Sequence, residues 1–195
     1  MMKSREHAFL EASASAVQPA PALPMQPAPA SAVQPAPASA DCVSGAVVAA
    51  VEADACFLEA RTVLAYMSMP GEVQLHPAFA RWRELGKRIA IPLVRGDELI
   101  PMEYDPAKLT AGYRGIIEPA DGAEVIAPEE IDLALVPGVA FTREGFRLGR
   151  GKGFYDRLLP KLKCPKLGVC FPFRIVPQLP VDPWDVQLDK VIANE

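Results

Sequence analysis

Proline at every second or third position excludes both regular secondary structures from one long stretch of this 195-residue chain. Residues 12–40 hold 7 prolines, 11 alanines and no charged side chain, and ASAVQPAPA occurs twice, at Ala14–Ala22 and Ala30–Ala38. Each proline removes a backbone donor and locks φ, so neither a helix nor a sheet ladder propagates through it. Extended polyproline II with Ala/Ser joints is the expectation. The segment has too little bulky apolar surface to offset the entropy of ordering it. Residues 1–42 therefore read as a disordered low-complexity arm, and folding is assigned to residues 43–195.

Within that remainder, helical spacing alternates with short apolar runs. In residues 44–60, Val47, Val51, Ala55 and Leu58 recur at three- and four-residue intervals, and Ser44 is placed to cap a helix. Thr62–Met69 reads as a strand ending at the Pro70-Gly71 turn. Residues 77–86 predict a helix, with Phe79, Trp82 and Leu85 at helical spacing and Phe79 and Trp82 read as core, stopped by Gly86. Strands follow at Arg88–Val94, Glu98–Tyr104, Leu133–Pro137, Leu167–Phe171 and Lys190–Ala193, with a helix over Phe154–Leu162. Alternation of this kind predicts a three-layer α/β/α fold around a mostly parallel sheet, with ligands bound beyond the carboxyl ends of the strands.

Composition narrows the function classes. Lys+Arg total 20 against Asp+Glu 24, a formal charge of −4, which argues against a surface built for nucleic acid. No apolar run approaches a membrane span, and the start lacks the apolar core of a secretory signal. Cys42, Cys56, Cys164 and Cys170 have no CxxC spacing and only two histidines to join them, so reduced thiols in a cytoplasmic protein are expected.

Against this acidic background, Ile131–Pro160 concentrates cations and glycines. A strand runs into Pro137-Gly138, and a loop follows in which Arg147, Arg150 and Lys152 alternate with Gly149, Gly151 and Gly153 ahead of FYDRLL. Glycines let successive N–H groups converge on one anion, and the start of a helix adds partial positive charge. Arginine forks onto phosphate oxygens and lysine adds a point charge. Asp156 would repel phosphates on its own but suits a Mg²⁺ bridging it to them. The spacing fits neither common nucleotide fingerprint: Phe146 breaks GxxxxGK[ST] and Phe154 breaks GxGxxG. A solvated basic turn and a single-stranded RNA site use the same residue types.

RLGRGKGFYDRLL, preceded by LVPGVAF, resembles the signature of the 5-formyltetrahydrofolate cyclo-ligase family, also termed 5,10-methenyltetrahydrofolate synthetase. YMSMPGEV, GKRIAIPLV, GIIEP and LPVDPWDVQLDKVI fall in order on either side, so the likeness runs over about residues 43–195. The resemblance implies ATP- and Mg²⁺-dependent conversion of 5-formyltetrahydrofolate to 5,10-methenyltetrahydrofolate, with release of ADP and phosphate. By matching position it implies that Arg147, Leu148, Gly149, Arg150, Gly151, Lys152, Gly153, Phe154 and Tyr155 surround ATP. Arg150, Gly151, Lys152, Gly153 and Phe154 would also border the folate, with Met67 and Glu72 in the pterin pocket. Arg150 and Lys152 would be the catalytic cations, and Asp156 and Asp189 the metal ligands, Asp185 being weighted below Asp189. Small-molecule substrates, a monomer, and no nucleic-acid or membrane partner are expected. Tyr113 is placed to stack on a flat ring or to sit at a rim.

Three departures accompany the likeness. The arm stands where the family opens with a basic helix, leaving only Lys3 and Arg5. Gln74-Leu75 replaces an acidic residue and threonine, and Arg174 replaces a glutamine. Loss of the basic helix supports an alternative, a non-catalytic folate- or nucleotide-binding relative.

Overall fold

A computed structural model describes residues 40–112, 115–120 and 122–194. The proposed arm up to residue 39, with Lys3 and Arg5, and Tyr113 lie outside the described residues. Ten strands and four α-helices follow in these (β1, Thr62–Leu64; β2, Arg88–Arg95; β3, Glu98–Glu103; β4, Leu109–Ala111; β5, Ile117–Pro119; β6, Leu133–Val136; β7, Ala140–Phe141; β8, Arg147–Leu148; β9, Lys166–Val169; β10, Lys190–Ile192). The helices are α1 (Ala40–Glu52), α2 (Ala55–Glu59), α3 (Phe79–Glu84) and α4 (Phe154–Leu158).

Six strands form the central sheet in the order β10-β9-β6-β1-β2-β3. All neighbours pair parallel except β2 and β3, an antiparallel hairpin at one edge. Side chains alternate between two cores, as the pleat requires. Val63, Ile89, Ile91, Leu133, Leu135 and Leu167 face a core closed by α1, α2 and α3. Leu64, Ala90, Ala134 and Val136 face the other, closed by Phe141 and by Leu158, Leu159 and Leu162. Covering both faces explains why these strands read as unbroken apolar runs. The three-layer α/β expectation is met.

Several boundaries differ from the sequence reading. The helix begins at Ala40, inside the span assigned to the arm, and breaks at Ala53-Asp54 instead of running from 44 to 60. Asp54 restarts it by accepting the Cys56 N–H at 2.9 Å. Ser44 caps nothing; it is buried in the second turn, and its Oγ accepts the Gln74 N–H at 3.2 Å. Strand β1 stops at Leu64 instead of Met69, because Ser68 draws the chain into a closed loop. Its Oγ donates to the Val73 carbonyl at 2.8 Å and accepts the Leu75 N–H at 3.1 Å. Likewise α4 ends at Leu158, and Pro160 turns the rest into a 3-10 turn over Leu159–Lys161.

Two small antiparallel pairs, β4-β5 and β7-β8, have no counterpart in the sequence reading. Both are too short for a period-2 signal. Among the described residues no helix is long and apolar enough to cross a membrane.

Candidate active site

From β1 the chain passes to β2 on one side and later to β6 on the other, so the strand order reverses beside β1. Loops leaving neighbouring strands in opposite directions open a crevice there. A cavity of about 490 Å³ occupies that end of the sheet. Tyr66, Met67, Met69 and Glu72, carried by the loop after β1, line it opposite Pro137 and Gly138 after β6. Every residue from Arg147 to Asp156 lines it too. The predicted phosphate loop and the predicted pterin turn, 78 positions apart at Glu72 and Arg150, thus share one wall.

The loop is held by a scaffold built before it. Hairpin β7-β8 presents Arg147 and Leu148, with Val139 N–H bonded to the Leu148 carbonyl at 2.8 Å. Gly151 (φ +79°) and Gly153 (φ +63°) then take the left-handed region that glycine tolerates, and Gly153 starts α4. At five residues, α4 contributes far less dipole than the longer helix expected from the sequence. Arg157 fixes the loop from behind, donating to the Lys152 carbonyl at 2.9 Å and the Asp97 carbonyl at 2.7 Å. Nothing in the spacing singled out Arg157; its role depends on the β2-β3 turn folding back onto the loop.

The three cations have distinct environments. The Arg147 side chain is only 5% exposed and donates to Asp156 Oδ1 at 2.5 Å. Its guanidinium lies 5.6 Å from the Tyr155 ring centre, and its Nε is buried without a hydrogen-bond partner. Arg150 reaches across to Glu72, where Nη2 and Nε approach Oε1 at 3.1 and 3.4 Å. Lys152 is exposed and makes no ion pair among the described residues. Glu72 Oε2 accepts the Met69 N–H at 2.9 Å, so both carboxylate oxygens are engaged. Burial, with the Glu72 charge reinforcing it, pushes the Tyr155 phenol well above its usual range despite Arg147 nearby, keeping it protonated.

Asp189 does not join this site. It precedes the first residue of β10, at the amino edge of the sheet, and its Oδ2 accepts the Lys166 N–H at 2.8 Å. The cavity lies at the carboxyl edge, so the pairing of Asp156 with Asp189 is corrected. Of the two acidic candidates in the last segment, Asp185 lines the cavity, together with Asp182. Asp185 Oδ2 accepts the Asp182 N–H at 2.8 Å, closing the turn that also brings the exposed Trp184 to the rim. Glu118, buried on β5, is a further lining carboxylate that the sequence reading did not assign.

Among the described residues no group of three or more His, Cys, Asp or Glu side chains could by itself hold a metal ion. A magnesium ion commonly uses only one or two protein carboxylates and takes further oxygens from phosphate and water. Asp156 fits that role, and the unpartnered Arg147 Nε beside it fits an oxygen-rich anion.

The sequence model of the 5-formyltetrahydrofolate cyclo-ligase family matches residues 37–194. The 5-formyltetrahydrofolate cyclo-ligase of Escherichia coli (strain K12) is 33% identical over 142 residues, covering 69% of this chain and 78% of that protein. The Mycolicibacterium smegmatis enzyme of the same name is 36% identical over 150 residues, covering 70% and 75%. The NMR structure of Aquifex aeolicus 5,10-methenyltetrahydrofolate synthetase superposes with a TM-score of 0.73 at 37% identity, covering 80% of each chain.

Proposed function

Given that the chain belongs to the 5-formyltetrahydrofolate cyclo-ligase family and is an enzyme of that kind, we propose that it performs the ATP- and Mg²⁺-dependent closure of 5-formyltetrahydrofolate to 5,10-methenyltetrahydrofolate as a cytoplasmic monomer. The formyl oxygen displaces ADP from the γ-phosphorus. N10 then adds to the formyl carbon and loses its proton, and the carbon–oxygen bond breaks to release phosphate. Phosphorylation makes a poor leaving oxygen a good one, so the protein's task is to align two ligands and balance the transferring charge.

The observation that carries this reading is the shared cavity wall, with the cations of residues 147–152 on one side and Glu72 on the other. Arg147 is held by Asp156 at a fixed position, leaving its Nε to meet phosphate oxygens. Arg150 and Lys152 neutralise charge on the transferring group, and the loop from Leu148 to Tyr155 encloses the phosphates. Met67 and Glu72 receive the pterin, whose adjacent N–H groups suit a carboxylate. Mg²⁺, held by Asp156 and phosphate oxygens, would screen the triphosphate and polarise the γ-phosphoryl group. The low-complexity stretch of residues 12–39 supplies none of the residues assigned to this machinery.

The test is the appearance of the methenyl chromophore from 5-formyltetrahydrofolate with purified protein, ATP and Mg²⁺. Product that requires both additions supports the reading. Folded protein that gives none above a no-enzyme control would overturn it.

A further inference from the structure

The ion pair between Arg150 and Glu72 joins the two halves of the proposed site. Glu72 sits at the end of a loop closed by Ser68 and by its own bond to Met69, and its side chain is only 9% exposed. Arg150 stands on the glycine-spaced loop with its side chain 47% exposed, so it can move at little packing cost. It occupies Glu72 Oε1, while the Met69 N–H holds Oε2.

A ring presenting two adjacent N–H donors needs the carboxylate edge that Arg150 covers. A polyphosphate on the 147–153 loop needs the same guanidinium. The two demands conflict as long as the pair stays closed, and one event satisfies both: Arg150 turning from Glu72 to a phosphate.

From this geometry we infer that the Arg150–Glu72 pair is a latch that couples the two ligands, so that a magnesium-bound nucleoside triphosphate opens the carboxylate for the folate. The inference rests on the reading given under Proposed function. A ring hydrogen-bonded to Glu72 blocks the carboxylate from recapturing Arg150, and an Arg150 held by phosphate no longer competes with the ring. Coupling of this kind is reciprocal, so bound folate strengthens nucleotide binding by the same factor. The pair is part exposed, and such pairs are worth up to about fivefold in an equilibrium constant.

Calorimetric titration with a non-hydrolysable ATP analogue and Mg²⁺, without folate, tests the latch. Glu72→Gln keeps an oxygen for the Met69 N–H but releases Arg150, so the analogue binds about fivefold tighter than to the wild type. Arg150→Met weakens binding, and adding Glu72→Gln to it changes nothing further, because the contact is already gone. In the unmodified protein, saturating analogue tightens 5-formyltetrahydrofolate binding by a similar factor. Unchanged or weaker analogue binding by folded Glu72→Gln, or folate affinity indifferent to the analogue, overturns the latch while the cyclo-ligase reading stands. Failure of the wild type to bind the analogue at all overturns both.

Discussion

Asp156 pairs with Arg147 and lines the cavity, so under the proposed function it would serve both stability and chemistry. Its carboxylate balances a guanidinium whose side chain is 5% exposed, and removing one member of a buried pair leaves the other charged in a poorly solvated place. Asp156→Asn should therefore destabilise the protein by about 1–3 kcal/mol, a value discounted for the partial exposure of Asp156. Because the same oxygens would hold the metal–triphosphate, turnover should fall by about 100-fold or more. Denaturant titration and initial rates read the two losses separately, and near-normal turnover in a destabilised variant would make the residue purely structural. Arg157 differs. Its bonds to Lys152 and Asp97 are backbone contacts at the rear of the loop, so Arg157→Ala should raise the KM for ATP more than it alters kcat.

Short connecting elements carry more of the architecture than their length suggests. Hairpin β7-β8 docks through its turn: Gly145 has φ +97°, and a Cβ there would lie 2.2 Å from the Leu188 carbonyl oxygen. Leu188 N–H bonds back to the Gly145 carbonyl at 2.9 Å. Gly145→Ala should cost roughly 1–3 kcal/mol in unfolding free energy and loosen the arm that presents Arg147. Two residues beyond Leu188, Lys190 pairs at 2.6 Å with Asp54, which also caps α2. Burial works to raise the Asp54 carboxyl, but hydrogen bonds from Lys190 and the Cys56 N–H, with the Lys190 charge, outweigh it and hold it below the usual 3.8. A depressed carboxyl stabilises the fold above its unfolded value, and the contribution is lost as pH falls through the folded one. Asp54→Asn, which keeps a capping oxygen, should cost about 0.5–1 kcal/mol at pH 7 and nothing in strong acid, measured as unfolding midpoints against pH.

For the molecule as a whole, the two cores predict a graded pattern of thiol reactivity. Cys42 is exposed, Cys56 is half-buried, and Cys164 and Cys170 are buried; all four are free. Burial pushes the Cys170 thiol up to about 12 against the opposing Arg174 charge, and raises Cys164 as well. An aromatic disulfide reagent at neutral pH should label Cys42 first and Cys56 more slowly. Cys164 and Cys170 should react only on unfolding, and their rapid labelling in native protein would contradict the packing of the second core. Since the family match begins at residue 37, a chain shortened to residues 37–195 should keep the unfolding midpoint of the full chain, consistent with a separate arm.

The sequence by itself determined the layer type, most of the strands and the concentration of cations and glycines in the loop. Those features follow from local periods and from residue types whose bonding is intrinsic. Ser44, Ser68 and Arg157 could not be assigned this way, because each acts on a backbone group brought near only by folding. The 3-10 turn at Pro160 and the two small hairpins were likewise too short to show a period. Asp189 marks the limit most clearly. The family resemblance implied it as a metal ligand, yet it precedes its strand, and its carboxylate lies at the amino edge, away from the cavity. Only the tertiary structure decides which end of a parallel sheet a residue reaches, because the path that returns each strand to the same starting edge is set by packing on both faces.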